Sequence, residues 1–157
     1  MSGFVIEQVE DLDAVWPEIE ALLVGIIEYH RPWDARELRP DWSPRMREYM
    51  ASGCTTFLAR DAAGEAVGFI EGKVTHDYGI FVETVAHVDN AFVVESHRRQ
   101  GVGAQLLQRF EDWSRDQGAT DLALEFAHGN DLGLSFWRKS GFEPRQLVMG
   151  KRFEASG

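Results

Sequence analysis

Hydrophobic residues recur along this chain at two different spacings, which predict a mixture of helices and strands in one domain. Between Leu12 and about Tyr29 the apolar side chains repeat at helical spacing, and a second helical pattern runs from Gly101 to Gln117. Segments rich in β-branched and aromatic residues, bounded by turn-forming residues, predict strands. These predicted strands cover residues 4–8, 55–60, 66–74, 81–94, 121–127 and 146–153.

Two shorter helices complete the predicted order of elements. Ser43 and Pro44 indicate a helix start, with the serine as N-cap and the proline at the first helical position. Residues 131–140 form the other helical segment, which Gly141 stops. The connection at 30–42 contains two prolines and is expected to be irregular. This order predicts a mixed α/β fold with a largely antiparallel sheet, in a single domain that spans residues 1–157.

Composition narrows the class of protein. The chain has 157 residues, of which 44% are hydrophobic and 27% charged, as in ordinary globular domains. Its formal net charge of −10 argues against nucleic-acid binding and favours a cationic substrate. Cys54 is the only cysteine, so no intrachain disulfide can form, and a cytoplasmic location is expected. The apolar run at 21–27 is too short to span a bilayer, so no membrane partner is expected.

A glycine-containing turn connects the strand at 81–94 to the helix that follows it. Gly101 and Gly103 lack side chains, and the start of a helix offers unpaired N–H groups and the positive end of the helix dipole. Arg98 and Arg99 add charged donors, so the turn is suited to bind a phosphate. An ordinary strand-to-helix turn that uses glycine for its geometry is the alternative interpretation.

Two common phosphate-binding motifs do not fit this turn. The P-loop ends in Gly-Lys-Ser/Thr, whereas Ala104 and Gln105 follow Gly103 here. The dinucleotide-binding motif has a third glycine where this chain has Leu106, and an acidic residue at the end of the next strand, where this chain has Ala127. A nucleotide-binding protein of either type is therefore disfavoured.

The stretch VDNAFVVESHRRQGVGAQLL at 88–107 resembles motif A of the GNAT superfamily of N-acetyltransferases, in which Arg/Gln-x-x-Gly-x-Gly/Ala joins a strand to a helix. The fixed positions of that motif are occupied by Arg98, Gly101 and Gly103. Downstream, NDLGLSFWRKSGF at 130–142 resembles the family's Asn-x-x-Ala-x-x-Phe-Tyr-x-x-x-Gly-Phe segment, and the matching residues are Asn130, Phe136, Gly141 and Phe142. The strong resemblance covers about 81–153, while the first 54 residues match only in their type of structure.

The resemblance implies a central, largely antiparallel sheet of about six to seven strands, flanked by about four helices, with a splayed strand pair that holds acyl-CoA. It implies an acetyl-CoA-dependent enzyme, without a metal, that acetylates a primary amine of a small molecule or peptide by direct attack in a ternary complex. A non-catalytic acyl-CoA-binding module is the alternative, because Trp137 replaces the family tyrosine that protonates the leaving thiolate. Formation of a homodimer is left open.

The resemblance also implies which residues contact the cofactor and the acceptor. Backbone N–H groups of the turn are expected to hold the pyrophosphate of acetyl-CoA, and the end of the preceding strand its pantetheine arm. The expected cofactor residues are Phe92, Val93, Arg98, Arg99, Gln100, Gly101, Val102, Gly103, Ala104 and Asn130. In the family, the connection at 30–42 commonly walls the acceptor pocket, and its aromatic and acidic residues suit a cationic amine. The candidates are Tyr29, Trp33, Asp34 and Trp42; a loop packed on the core is the alternative.

Candidate catalytic bases lie on the strand at 81–94. Period-two alternation places one set of residues on a common face, namely Glu83, Val85, His87, Asp89, Ala91 and Val93. His87 and Asp89 fall where family members often carry a catalytic Glu or His, and histidine titrates near neutrality. The catalytic candidates are therefore His87, Asp89 and Glu83, with Glu71 acting through water as a further option. A satisfied histidine and a solvated aspartate are the alternative interpretation.

Overall fold

The computed structural model describes residues 3–76 and 79–156, and the structural statements below concern these residues. The single-domain prediction for 1–157 includes positions outside them and stays a prediction. The regular elements in chain order are β1 (Val5–Gln8), α1 (Leu12–His30), α2 (Trp42–Ala51), β2 (Thr55–Arg60), β3 (Ala66–His76), β4 (Thr84–Val93), α3 (Val102–Asp116), β5 (Asp121–Leu124) and α4 (Asp131–Lys139). None of the helices in the described ranges is both long and apolar enough to cross a membrane.

The five strands form one sheet in the order β1-β2-β3-β4-β5. Neighbouring strands are antiparallel from β1 to β4, whereas β5 is parallel to β4 and follows the crossover helix α3. Adjacent residues of β2 point to opposite faces, so Phe57 joins a core cluster with α3 and Leu58 joins a cluster with α1 and α2. The predicted class, a mixed α/β domain with a largely antiparallel sheet and four α-helices, is confirmed.

The predicted last strand at 146–153 is wrong. The described residues form five strands rather than six to seven, and this segment has no regular secondary structure. Its apolar side chains are 74–84% exposed; they are Leu147, Val148, Met149 and Phe153. Because a strand needs a neighbour for its backbone N–H and C=O groups, alternating apolar residues do not form one where no sheet edge pairs with them.

Helix α2 begins at Trp42, so the prediction that Ser43 is its N-cap is wrong. Asp41 is the N-cap residue, but its carboxylate makes no capping hydrogen bond. The Ser43 hydroxyl instead accepts a hydrogen bond from the indole N–H of Trp16 in α1, at 3.3 Å. The Ser43 hydroxyl therefore joins α2 to α1 and does not cap α2.

A bulge in β4 ends the period-two alternation predicted for that strand. Glu71 lies opposite Asn90 and Gly72 lies opposite Val88, so Asp89 is the extra residue on β4. A Cβ atom at Gly72 would lie 1.8 Å from a backbone carbonyl oxygen of β4, so the close approach requires glycine. Beyond the bulge, Phe92 packs with the α1 cluster and Val93 with the α3 cluster. The predicted common face therefore does not extend to Ala91 and Val93.

Candidate active site

The strands β4 and β5 separate partway along β4. Their pairing ends with Val88 opposite Leu124, where β5 stops, while β4 continues to Val93. The N–H of Val94 donates to the carbonyl of Val67 in β3 at 2.9 Å. Because every second residue of a strand directs its backbone groups to the same neighbour, the N–H and C=O groups of Phe92 and Asn90 also face β3. The intervening N–H and C=O groups, including those of Val93, therefore face the gap. A splayed strand pair is present where the sequence predicted one, and Val93 rather than Phe92 presents its backbone there.

The turn between β4 and α3 has the geometry of an anion-binding site. Gly101 is the N-cap of α3 with a φ of 85°, and Arg99 also has a positive φ, of 61°. Glycine adopts this left-handed conformation at little cost, whereas a non-glycine residue does so rarely. The first N–H groups of α3, on Val102, Gly103 and Ala104, have no acceptor within the helix and lie at the positive end of its dipole.

Two residues of the turn also stabilise the protein structure around it. A Cβ atom at Gly103 would lie 3.3 Å from the ring of Phe136, so the glycine lets α4 pack against the start of α3. The Gln100 amide donates to the carbonyl of Ser96 at 3.1 Å, which closes the turn. A bulky residue at 103 would therefore disturb helix packing as well as phosphate binding.

The Arg98 side chain lies in the gap and links it to α1. Its Nε donates to the gap-facing carbonyl of Val93 at 2.9 Å, and its guanidinium lies over the rings of Tyr29 and Phe92, 5.1 and 5.4 Å from their centroids. The Tyr29 hydroxyl donates to Oδ1 of Asn130 at 2.9 Å, and the same oxygen caps α4. Arg98 and Tyr29 therefore connect β4, α1 and α4 around the gap.

The residues predicted to wall the acceptor pocket lie in two separate places. Trp33 lies against Gly129 ahead of α4, close to Tyr29, whereas Trp42 lines a groove between α1 and α2. Asp34 is bound by Arg36 at 2.6 Å, and this hydrogen bond holds the pKa of that exposed carboxyl below its usual range. Asp34 was expected to attract a cationic acceptor, but its carboxylate is already paired with Arg36.

A buried acid lies at the β4 bulge. Glu71 is 0% exposed, its Oε2 accepts from the Asn90 amide at 2.8 Å, and its Oε1 has no hydrogen-bond partner. Burial raises the pKa of Glu71. One polar atom from each of Cys54, Glu71 and Asp89 lies within 4.8 Å of the others. Burial, followed by the Glu71 carboxylate, raises the pKa of the Cys54 thiol to about 12, so this cysteine is a neutral thiol and a poor nucleophile.

Tyr49 connects the exposed carboxylate of Asp89 to Lys73. The Tyr49 hydroxyl donates to Oδ2 of Asp89 at 2.7 Å and accepts from Nζ of Lys73 at 2.8 Å. Nζ also lies 4.9 Å from the centroid of the Tyr49 ring. The hydrogen bond to Tyr49 raises the pKa of Lys73, which keeps it an ammonium. The sequence analysis missed both residues; the one available signal was Gly72, since glycine within a strand indicates a bulge.

The three catalytic candidates do not lie together. His87 is half-buried opposite Lys73 and has an interaction partner, and it precedes Asp89 by two residues on β4. Glu83 precedes the first residue of β4, at the end of the strand remote from Asp89, and its charge acts on Arg145. The structure therefore places His87 near the bulge and leaves Glu83 away from it.

Trp137, at the position of the family tyrosine, is part of the core packing. Its ring centroid lies 4.9 Å from that of Phe136 and 5.3 Å from that of Phe142, in edge-on contacts. All three residues pack against the α3 cluster. The indole is held by its aromatic neighbours, and its N–H is no practical acid at neutral pH.

Sequence comparison finds relatives with two kinds of acceptor. An aminoglycoside N(6')-acetyltransferase type 1 from Serratia marcescens is 36% identical over 88 residues, which is 54% of this chain and 60% of the relative. An L-methionine sulfoximine/L-methionine sulfone acetyltransferase from Pseudomonas paraeruginosa is 32% identical over 91 residues, 58% of this chain and 52% of the relative. The chain thus spans about half to two thirds of the length of these relatives.

Comparison with solved structures and with a family profile completes the assignment. The aminoglycoside N-acetyltransferase AAC(6')-Iy, solved in complex with CoA, has a TM-score of 0.77 at 23% identity, over 99% of this chain and 97% of that one. This likeness shows a common fold. The profile of the acetyltransferase (GNAT) family matches residues 16–142, which confirms the resemblance seen in the two sequence motifs. The chain therefore belongs to the acetyltransferase (GNAT) family.

Proposed function

We propose that this chain is an enzyme that transfers an acetyl group from acetyl-CoA to a primary amine of a small molecule. The observation that carries the proposal is the position of Asp89, an exposed carboxylate on the bulge of β4, just before the gap that ends at Val93. A negatively charged group beside an acyl-CoA gap both attracts an ammonium and accepts its proton. The curated relatives, whose names describe acetyl transfer to small amines, support the same reaction class.

Acetyl-CoA fits the backbone on the other side of the site. The N–H groups from Val102 to Ala104 would hold its diphosphate, and the gap-facing backbone of Val93 would bind its pantetheine arm. The Val93 carbonyl already accepts a hydrogen bond from Arg98, so cofactor binding requires this side chain to exchange its partner. The structural neighbour AAC(6')-Iy, which was solved with CoA, supports acetyl-CoA as the cosubstrate.

Acetyl transfer then needs little covalent help from the protein. The acceptor ammonium loses a proton to Asp89, directly or through a water shared with His87, and the neutral nitrogen attacks the thioester carbonyl. A C–N bond forms and the C–S bond breaks, and the second proton that the nitrogen loses as the amide forms passes through water to the leaving CoA thiolate. Holding the two reactants together lowers the barrier by removing most of the entropy of encounter.

An acceptor screen tests this function. Release of free thiol from acetyl-CoA would be followed with a panel of aminoglycosides, amino acids and alkyl polyamines, and products would be identified by mass spectrometry. We expect thiol release that depends on the acceptor and yields an N-acetylated product. If acetyl-CoA binds by calorimetry but no amine in the panel is acetylated, the chain is a non-catalytic acyl-CoA-binding module instead.

We also propose that the protein forms a homodimer through the segment 146–153. Its exposed apolar side chains form a surface of a kind that monomers rarely leave open, and a second copy would cover it. Light scattering on the wild type and on a variant with Leu147→Asp and Met149→Asp tests this. We expect a dimer that the double variant dissociates, and a wild-type monomer would contradict it. Nucleic-acid and membrane partners stay unexpected, and the cytoplasmic location stays a prediction.

A further inference from the structure

A groove of about 350 Å³ lies between α1 and α2, and one of its lining residues, Tyr49, is also the residue that bonds Asp89. Its walls are mostly apolar side chains, from Leu23, Ile26, Ile27, Trp42, Met46 and Tyr49. Two arginines, Arg39 and Arg45, complete the lining. Such a surface gains most by burying hydrocarbon or an aromatic ring, because this removes apolar area from water.

The charges around this groove differ from those of the whole chain. The protein carries a net charge of −10, which favours a polycation in general. At the groove, however, Arg39 and Arg45 share the carboxylate of Asp41, at 3.1 and 2.6 Å, and the charge of Glu48 also acts on Arg45, so charges of both signs lie together here. Lys73 and Asp89 carry opposite charges on the two sides of the Tyr49 hydroxyl. A polycationic acceptor would therefore meet the cationic groups Arg39, Arg45 and Lys73 as well as the exposed Asp89.

We propose that the acceptor is a zwitterionic α-amino acid with an apolar side chain. Asp89 would bind its ammonium, Lys73 its carboxylate, and the groove its side chain. The Tyr49 hydroxyl holds Lys73 and Asp89 two hydrogen bonds apart, at 2.8 and 2.7 Å, and this pair of fixed charges matches the adjacent charges of one α-amino acid. The inference rests on the proposed acetyl transfer and specifies its acceptor.

Acetylation also weakens the binding of the product. The ammonium passes one proton to Asp89, and its nitrogen forms the amide bond as the C–S bond of acetyl-CoA breaks. The second proton that the nitrogen loses passes through water to the thiolate. The resulting N-acetyl amino acid has no ammonium. It therefore loses its attraction to Asp89 and keeps only the contacts of its carboxylate and side chain.

A substrate comparison separates this inference from the proposed function. L-Leucine, L-methionine and L-phenylalanine would be assayed against neamine, a polycationic amine. We expect the apolar amino acids to have a kcat/KM at least about tenfold above that of neamine, a difference that needs only one good charged contact. Turnover of neamine without turnover of the amino acids overturns the inference and leaves acetyl transfer standing. Absence of turnover for every amine, with acetyl-CoA bound, removes the proposed function itself.

A cycle that changes the protein and the substrate together tests the role of Lys73. Wild type and Lys73→Met would each be assayed with L-leucine and with L-leucinamide, which lacks the carboxylate. In the wild type we expect the amide to have an about tenfold lower kcat/KM, and in Lys73→Met we expect the two to be used equally. The control Lys139→Met removes an exposed lysine at the end of α4 and should behave as wild type. An equal preference for the acid in Lys73→Met and wild type would contradict the proposal.

A second pair of variants tests the groove. Ile27 lines it, whereas Val24 lies on the same helix, is 39% exposed and does not line it. Ile27→Asn should raise the KM for L-leucine about fivefold and leave the KM for glycine unchanged, because only leucine has a side chain to bury. Val24→Asn is the matched control and should leave both values unchanged. Equal effects of Ile27→Asn on leucine and glycine would show that the side chain binds elsewhere.

Discussion

The two halves of the candidate site are built from different parts of the chain. The half assigned to acetyl-CoA uses backbone groups of one continuous segment, from Val93 through Gly101 to Ala104. The half assigned to the acceptor uses side chains from four elements, with Ile27 and its neighbours on α1, Tyr49 on α2, Lys73 on β3 and Asp89 on β4. The first depends on local conformation, while the second depends on how the elements are packed and on the register of the sheet.

This difference explains how one fold serves acceptors of different chemistry. Backbone N–H groups at a helix start are present whatever side chains surround them, so the cosubstrate half tolerates sequence change. The acceptor half changes with single side chains, and the names of the relatives include both aminoglycosides and an amino-acid analogue. The fold and the cosubstrate therefore do not determine the acceptor, which has to be argued from residues such as Lys73 and Asp89.

The largest effect is expected from Asp89→Asn, which breaks the acceptor half. Loss of a general base should lower kcat/KM about 10²–10⁴-fold, while the affinity for acetyl-CoA by calorimetry stays unchanged. The kcat/KM of His87→Ala would be measured with the same acceptors, chosen to differ in pKa. A similar loss in both variants would indicate that His87 and Asp89 act on the same proton. Asp116→Asn, at the exposed end of α3, serves as the control. A near wild-type kcat in Asp89→Asn would exclude this carboxylate as the base.

Substitutions at the two glycines that flank α3 test the acetyl-CoA half. Gly101 and Gly118 flank the helix with φ values of 85° and 88°, and a Cβ atom would find open space at Gly118 and only the Gln105 amide, at 3.8 Å, at Gly101. Valine at either position imposes similar backbone strain, of about 1–2 kcal/mol. We expect Gly101→Val to weaken acetyl-CoA binding about tenfold or more and Gly118→Val to leave it unchanged. Equal affinities in calorimetry would place the diphosphate elsewhere.

Two tyrosine-to-phenylalanine variants sharpen the comparison, because one hydroxyl lies in the acceptor half and the other lies beside the acetyl-CoA half, although the sequence predicted Tyr29 for the acceptor pocket. Tyr49→Phe loses the link between Lys73 and Asp89, and should raise the acceptor KM about fivefold without changing that of acetyl-CoA. Tyr29→Phe loses the bond to Asn130 but keeps the ring under Arg98, and should affect mainly acetyl-CoA, to a similar degree. Steady-state kinetics with both substrates varied measures this, and identical effects of the two changes would mean that the halves are not separate.

The smallest effect concerns stability, through Glu71→Gln. Burial raises the pKa of Glu71 in the folded protein above 4.5, its ordinary value in the unfolded chain. At a pH between the unfolded and the folded pKa, the folded protein therefore binds more protons than the unfolded chain. The free energy of unfolding contributed by this group therefore falls as pH rises through that range, and the loss persists at neutral pH. Glutamine does not titrate, so we expect the variant to be more stable at pH 7 by about 1 kcal/mol, or roughly 2–4 °C in Tm.

Thermal unfolding followed by circular dichroism between pH 4 and pH 8 checks this expectation. The advantage of Glu71→Gln over wild type should shrink towards low pH, where Glu71 is protonated in both folded and unfolded states. Glu10→Gln, an exposed position ahead of α1, is the matched control and should follow the wild type. A lower Tm for Glu71→Gln at pH 7 would mean that the surroundings stabilise the ionised form.

The sequence by itself determined the order of the elements up to α4 and the turn that starts α3, whereas the splayed strand pair was implied by the resemblance to the family. Helical spacing, turn residues and the glycines of motif A are properties of residues close together in the chain, so their interactions do not depend on the rest of the fold. The wrong predictions at this level, which include the common face of β4 beyond its bulge, involve distant partners. The segment 146–153 has the composition of a strand but pairs with neither edge of the described sheet, and the Ser43 hydroxyl bonds Trp16 instead of capping α2.

Only the tertiary structure decided the chemistry of the acceptor half. Gly72 permits the bulge that makes Asp89 an extra residue, and this shift in register places Asn90 against Glu71. Tyr49 reaches Asp89 from 40 residues away in the chain, because α2 packs on the same face of the sheet. Hydrogen bonds and charge pairs act over a few ångströms, and no spacing along the sequence encodes which distant side chains come that close.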